Sequence, residues 1–406
     1  MRMLAKTLLS AAFGLVTMGA ALADTTLRVA YPGWDSKDQE REVTAIFKAY
    51  EAANPGTKVE LISIPFPVLK QKIAVSVRSA DAPDVAYIDG RWIPEFQASD
   101  FLTDLTGRVK TLPKDDWYAA SWEPATVDGK IYGIPDRVDP WMIYYNVDLL
   151  KAAGVNEFPK TTEELIEAGK KISKDGVYAW GLLAQNDASI ISRFLNILYM
   201  HHASFITPDG KKAAINTPEA VAALTFYTDL LNKHRIAQPS AMSDGLNEVK
   251  QLFMTKQVAM MIDGPWARGT LREMAPTVNW SVARFPSVPG KEPAFTTTTW
   301  NYVLFDNSQN KDAAWKFIDF LVKPENQSRS VVSLPARQSA AKMPRFAAAE
   351  YEPWIAALPY GQPFPRTEKF SDIAQIVGTA IQEILAKRKS PQQAADDAAT
   401  RINRIL

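Results

Sequence analysis

Apolar and polar residues at the start of the chain follow two different periods. Residues 27–31 and 58–64 are short runs rich in β-branched and aromatic side chains, which predict strands. The apolar residues between them recur at the helical spacing of three and four: Val43, Ile46, Phe47 and Tyr50. The sequence Asn54-Pro55-Gly56 is predicted to end this helix, because proline and glycine both interrupt helical backbone.

The same alternation continues for one more unit. Leu69, Ile73 and Val77 mark a second helix, and residues 84–88 form a third predicted strand. The order strand, helix, strand, helix, strand is typical of a parallel, doubly wound α/β sheet.

Three helices in the later part of the chain begin with recognisable capping sequences. Thr161-Thr-Glu-Glu164 is a capping box, and Thr217-Pro218 opens another helix, because proline is well tolerated in a first turn. Ser390-Pro391 starts the last helix. The remaining predicted elements are strands at 178–183, 258–262 and 296–305, and helices at 190–199, 246–253, 311–322 and 373–385.

The first 23 residues have the composition of a secretory signal peptide. Arg2 and Lys6 precede an apolar run at 8–22 that ends in Ala21-Leu22-Ala23. A membrane anchor is the alternative, but the apolar run is short for a span. We therefore expect cleavage after Ala23 and a mature protein in the periplasm.

Composition narrows the class of protein further. The 406 residues contain no cysteine, so neither a disulfide framework nor a lipoprotein cysteine is expected. The length favours two domains. Because 46 basic residues balance 45 acidic ones, neither nucleic acid nor an anionic membrane is an expected partner.

One stretch, residues 128–150, indicates how two domains would be joined. It reads as an Asp128-Gly129 turn, a strand at 130–134, an extended polar segment at 135–140, a second strand at 142–145 and a helix start. This order of motifs resembles the hinge crossover of the family 1 extracellular solute-binding proteins, the sugar-binding components of bacterial ABC importers. Gly264-Pro-Trp266 and Leu334-Pro-Ala-Arg337 resemble later motifs of the same family.

The resemblance implies an α/β protein of the type II periplasmic binding fold, with two lobes and a doubly wound sheet in each. A hinge of about three crossings is expected near 135–141, 294–298 and 332–336. The implied division is a signal peptide at 1–23, an N-terminal lobe of 24–136 plus 297–333, and a C-terminal lobe of 137–296 plus 334–406.

Motifs of catalysis and of cofactor binding are missing from the sequence. It has no zinc-site spacing, no serine elbow and no glycine-rich phosphate loop, and its three histidines, His201, His202 and His234, are predicted to lie on the surface. A glycosidase needs only two carboxylates, so this absence does not exclude sugar hydrolysis. We expect no metal, no cofactor and no catalytic residue.

A sugar site combines hydrogen-bonding side chains with aromatic rings that cover the apolar faces of the sugar. In open α/β sheets such a site lies beyond the carboxyl ends of the strands. The residues predicted to line it are Trp34, Asp35, Asp89, Arg91, Asp139, Trp141, Gln185, Asn186, Trp266, Trp300, Asn301 and Arg337. Of these, Trp266 takes its stacking role from the resemblance, and Arg337 is equally explained by an ion pair between the lobes.

The sequence departs from the family at Thr296-Thr-Thr-Thr-Trp-Asn301, where members usually carry Gly-Gly. Bulkier side chains there predict a narrow cleft and a ligand of one or two rings.

Three functions remain open at this point. The first is a monomeric binding protein that delivers a small carbohydrate to inner-membrane ABC permease subunits with a cytoplasmic ATPase. The second is the same fold binding another solute, such as a polyol, a sugar acid or a polyamine. The third is a secreted carbohydrate-active hydrolase.

Overall fold

The computed structural model describes residues 25–34, 36–79, 81–185 and 188–406. The strands are β1 (Thr25–Pro32), β2 (Thr57–Ile64), β3 (Val85–Asp89), β4 (Thr126–Val127), β5 (Lys130–Ile131), β6 (Ile134–Pro140), β7 (Met142–Asn146), β8 (Tyr178–Trp180), β9 (Val258–Asp263), β10 (Trp280–Ala283), β11 (Phe295–Leu304), β12 (Leu334–Pro335) and β13 (Gly361–Gln362).

The helices alternate with these strands and then fill the C-terminal part of the chain. They are α1 (Lys37–Ala53), α2 (Phe66–Ser76), α3 (Ile93–Ala98), α4 (Val147–Ala152), α5 (Thr162–Ile172), α6 (Ala188–Met200), α7 (Pro218–Asn232), α8 (Leu246–Met254), α9 (Ala267–Met274), α10 (Lys311–Leu321), α11 (Pro324–Ser330), α12 (Gln338–Ala341), α13 (Glu352–Ala357), α14 (Phe370–Leu385) and α15 (Pro391–Asn403).

Local sequence sets several of these boundaries. Ser36 accepts a hydrogen bond from the first turn of α1, and Asn54 ends that helix. The capping boxes at Thr161 and Ser390 form as predicted. Pro218 occupies the first turn of α7, where its missing N–H is harmless.

The larger sheet has the order β2-β1-β3-β11-β6-β12, with β13 paired to β11. Its first three strands are parallel, and β11, β6 and β12 continue it in antiparallel pairing. The smaller sheet has the order β8-β9-β7-β10, with β8 parallel to β9. The predicted α/β class is confirmed.

The segment predicted as an extended crossover, 135–140, is a full strand, β6. It hydrogen-bonds to β11 on one side and to β12 on the other, which satisfies its backbone although its side chains are polar. A single residue, Trp141, separates β6 in the larger sheet from β7 in the smaller one. The chain therefore passes between the two sheets in one step.

Two hydrophobic cores lie on either side of this passage. One, with Tyr31, Phe47 and Phe317, covers the larger sheet, and we call that sheet with its packed helices the first lobe. The other, with Tyr144, Phe194 and Ile381, covers the smaller sheet, and we call this unit the second lobe. The apolar faces predicted for α1 and α14 are buried in these cores.

Two local predictions were wrong. The strand predicted at 178–183 ends at Trp180, because Leu182 donates its N–H to the Gln238 side chain instead of to a strand. His201 is buried rather than on the surface, and burial lowers its pKa to about 4.

Among the residues described, no helix combines the length and apolar character that crossing a bilayer requires. The predicted signal peptide lies outside the described residues.

Candidate ligand-binding cleft

The carboxyl end of β3 meets the second lobe through Arg91. Its Nη1 donates a hydrogen bond to Oγ of Ser192 on α6, at 2.8 Å. Asp89 fixes the guanidinium: Oδ2 accepts from Nε at 2.9 Å, and Oδ1 accepts the Arg91 backbone N–H at 3.0 Å. The side chains predicted at this strand end therefore lie between the lobes.

A second polar group lies on the paired strands β6 and β11. Arg137 is opposite Trp300 and its guanidinium is 4.8 Å from the ring centroid. Arg137 Nε donates to Oδ2 of Asp139 at 3.1 Å, and Ser333 donates to the other carboxylate oxygen. Asp139 is opposite Thr298, so all four of these β6 and β11 side chains share one region of the sheet.

The second lobe contributes two tryptophans. The rings of Trp141 and Trp266 meet edge to face, with centroids 5.2 Å apart and planes at 81°. Trp141 Nε1 donates to Oγ1 of Thr298 at 3.4 Å, which ties the indole to β11. Trp266 is half-buried, so part of its ring remains open to a ligand.

The Trp141 ring also lies beneath an ion-paired guanidinium. Arg193 is 4.7 Å from its centroid and donates to Oδ1 of Asp263 at 3.1 Å. Lys250 lies 3.4 Å from the other oxygen of Asp263. Asp263 is fully buried at the end of β9, directly before the turn that carries Trp266.

The three guanidiniums share one arrangement. Each is ion-paired with an aspartate and lies over an aromatic ring, which is Phe364 for Arg91. Burial of a charge is tolerable when it is paired and hydrogen-bonded. Donors and acceptors fixed in this way suit a ligand with many hydroxyl groups, since they are oriented before it arrives.

Aromatic rings line the first-lobe side as well. Trp34, half-buried after β1, lies 5.1 Å from Tyr31. Phe66 stacks on Trp92 at 5.8 Å and is 5.9 Å from Trp300. Phe66 is 42% exposed, which leaves an open apolar ring at the edge of this cluster.

The structure does not bring every predicted residue to this region. Asn301 points to the side of β11 opposite Trp300, fully buried and donating to Thr299. Arg337 is ion-paired with Asp116 at 2.7 Å and packs over Trp117. These two contacts stabilise the fold and give Arg337 a structural role that requires no ligand.

Three predicted residues remain: one follows β8 in the second lobe, and two lie outside the described residues. Gln185 is exposed in the turn after β8, and its backbone N–H donates to Asp244. Asp35 and Asn186 lie outside the described residues.

A narrow crevice lies between the lobes, beside Arg91. Its walls are residues 89–91, 297–299 and 364–366, with Pro94 and Pro124. The free space in this crevice is about that of one water molecule, so a sugar ring could enter at this point only if the lobes moved apart.

Sequence reasoning missed the basic half of this region. Arg137 stands two residues before Asp139 on a strand, so the period of two could have placed both on one face. The partnership of Arg193 with Asp263 spans 70 residues and left no local signal.

One buried carboxyl beneath the region is chemically unusual. Burial raises the pKa of Asp136 to about 7, because its effect outweighs the lowering of that pKa by Tyr87, Arg137 and Gln327. Tyr87 and Gln327 are near enough to stabilise the charged form, but among the described residues neither carboxyl oxygen makes a hydrogen bond of ordinary geometry. Asp136 sits at the irregularity in the pairing of β6 with β11.

Two sheets, two cores and a polar, tryptophan-lined cleft between them define a type II periplasmic binding protein. The model of the bacterial extracellular solute-binding proteins matches residues 34–328. The chain belongs to this family.

Individual relatives agree with this assignment. A binding protein of Brucella abortus (strain 2308) is 28% identical over 365 residues, covering 88% of each chain. The galactooligosaccharide-binding protein of Bacillus subtilis (strain 168) is 24% identical over 379 residues, covering 90% of this chain and 87% of the relative. A Thermotoga lettingae ABC transporter solute-binding protein bound with α-D-tagatose superposes with a TM-score of 0.84 at 25% identity, covering 94% of this chain and 99% of that one.

Proposed function

We propose that this protein captures a small carbohydrate between its lobes and delivers it to an ABC permease, without chemical change to the ligand. The observation that carries the proposal is the pairing of exposed or half-exposed rings with ion-paired arginines in one cleft. Trp266 and Trp34 offer aromatic faces, and Arg91 and Arg137 offer fixed donors. Rings and hydroxyl partners together suit a sugar.

The charges favour a neutral ligand over a sugar acid or a polyamine. Arg91, Arg137 and Arg193 are each paired with an aspartate at about hydrogen-bond distance. Neither an unpaired cluster of arginines nor a cluster of carboxylates dominates these contacts. A hydroxyl-bearing ligand can bind such groups without leaving a charge buried alone.

The relatives support the same class. The Bacillus subtilis relative is named for galactooligosaccharides, and the Thermotoga lettingae structure is bound with α-D-tagatose. A monosaccharide or disaccharide agrees with the side chains of Thr297 to Thr299, which narrow the crevice. We propose the lobe division 24–136 with 297–333, and 137–296 with 334–406, whose boundaries fall within β6 and just before β12, where the chain crosses between the lobes.

The hydrolase alternative has less support. Glycosidases hold two carboxyl groups on either side of the scissile bond. Here Asp139 and Asp263 are each fully buried and paired with arginine, so neither is placed as a proton donor.

A thermal-shift screen tests the proposal. The panel holds pentoses, hexoses, oligomers of two to four rings, polyols, sugar acids and polyamines. We expect a neutral sugar to raise the melting temperature, because a ligand that binds only the folded state stabilises it by mass action. Stabilisation by a polyamine or a sugar acid alone would contradict the proposal, as would release of a cleaved sugar.

A further inference from the structure

A short segment of the second lobe crosses the cleft beside Arg91. Residues 361–366, which we call the strap, follow α13 and precede α14. Tyr199 on α6 donates its hydroxyl to the carbonyl of Pro363 at 2.6 Å. Phe364 packs edge to face on Phe370, the first residue of α14, with centroids 5.5 Å apart. The strap is thereby held on the second lobe.

The strap also lies directly on β11. Gly361 and Gln362 form β13, which pairs in parallel with Phe295 and Thr296. A Cβ at Gly361 would lie 1.7 Å from Oγ1 of Thr297 and 2.8 Å from its Cβ. Only glycine allows the strap to come this close to the strand.

The far end of the strap contacts the first lobe. The Phe364 ring lies 4.9 Å from the Arg91 guanidinium, and Arg366 pairs with Glu123 at 3.8 Å. Phe364, Pro365 and Arg366 form one wall of the crevice. The strap therefore stands where a longer ligand would leave the cleft beside Arg91.

We propose that the strap closes this end of the cleft and restricts the ligand to one or two sugar rings. The inference rests on the proposed carbohydrate function and names the residues that set ligand length. Further rings would have to occupy the space of Phe364 and Arg366. A buried aromatic ring cannot yield that space without loss of its contacts with Arg91 and Phe370.

Calorimetry tests this proposal. The affinity of the protein is measured for oligomers of one to four rings of each sugar in the thermal-shift panel. We expect the unaltered protein to bind one or two rings at least about tenfold more tightly than four. Phe364→Ala should reduce that preference by about tenfold, and Arg366→Gln, an exposed change, should reduce it less. Arg388→Gln removes the same charge at an exposed turn after α14 and should leave the preference unchanged.

The close approach of Gly361 provides a second, independent pair of variants. Gly361→Ala should displace the strap and weaken the preference for short sugars. Thr297→Gly removes both clashing atoms, so in that background Gly361→Ala should cause no further change in the preference. Gly107→Ala, at a glycine with open space around its Cβ position, is the matched control.

The outcomes separate the two proposals. If the unaltered protein binds four rings as tightly as two, or if no strap variant changes the preference, the strap proposal is wrong while the carbohydrate function stands. If no sugar of the panel binds at all, the carbohydrate function is wrong and the strap proposal is wrong with it.

Discussion

Arg91 and Ser192 join the two lobes directly, with Nη1 of the arginine donating to Oγ of the serine at 2.8 Å. Arg91 follows β3 in the first lobe and Ser192 lies on α6 in the second. Lys70 on α2 makes a comparable bridge, donating to Ser371 on α14 at 2.7 Å. Both contacts bridge the lobes, so they stabilise the arrangement in which the lobes are together.

Ser192→Ala should weaken ligand binding through this contact. Loss of one hydrogen bond costs about 1 kcal/mol, which corresponds to about a fivefold higher Kd when closure accompanies binding. Calorimetry with the best sugar of the screen measures this change. Ser243→Ala, the same change at an exposed site of the second lobe, should leave Kd unaltered. Equal Kd values for Ser192→Ala and the unaltered protein would show that the contact does not stabilise closure.

Trp266→Ala should remove most of the sugar affinity. A stacked ring at the centre of a site contributes about 2–4 kcal/mol to binding, as binding hot spots do. The ring also packs on Trp141, so a modest loss of unliganded stability is expected alongside. Trp315→Ala, at a half-buried position on α10 outside the cleft, should lower the melting temperature without a change in affinity. A large loss of stability with intact affinity for Trp266→Ala would make that ring part of the core.

Asp263→Asn should destabilise the second lobe strongly. It leaves the buried Arg193 and the partly buried Lys250 without their shared counter-charge, and removing one partner of a buried ion pair costs about 3–5 kcal/mol. Denaturant unfolding gives the free energy of unfolding directly. Asp306→Asn, which breaks the exposed ion pair with Lys311, should cost less than about 1 kcal/mol. Equal effects from the two variants would mean that Asp263 is not held as the structure shows.

Asp136 gives the protein a pH dependence of opposite sign to that of ordinary carboxylates. Its pKa rises on folding from 3.8 to about 7, so the folded state binds the proton more tightly than the unfolded chain does. The stability it contributes is complete below about pH 4 and is lost as the pH rises toward 7. Asp136→Asn keeps the neutral form at every pH. Relative to the unaltered protein, the variant should therefore gain stability between pH 4.5 and pH 8, on the order of a few kcal/mol. A constant difference between the two proteins over that range would contradict the shifted pKa.

The order of elements could be predicted from the sequence because each depends on local signals. The helix face of Val43 and Tyr50, the capping box at Thr161 and the proline at α7 all formed as their patterns predict. The strand predicted to reach residue 183 failed because a distant side chain, Gln238, takes the backbone hydrogen bond of Leu182.

The candidate site was predictable only in part, for the same physical reason. Asp89 and Arg91 are near neighbours at the end of β3, so their ion pair and their position at the carboxyl edge of the sheet follow from local sequence. The contacts of Arg91 with Ser192 and Phe364, by contrast, join residues far apart in sequence, and no local pattern encodes them. Trp300 and Asn301 point to opposite faces of β11, because a strand alternates its side chains, so Trp300 lies over Arg137 while Asn301 donates to Thr299.

Small-angle scattering of ligand-stripped protein, with and without a saturating sugar, tests the central claim most directly. The crevice beside Arg91 is too small for a sugar ring, and we propose that the ligand enters between separated lobes and then draws them together. We expect a smaller radius of gyration with the sugar than without it, and the same sugar recovered intact afterwards. An unchanged radius with the sugar demonstrably bound, or hydrolysed sugar in the same sample, would contradict capture between two lobes.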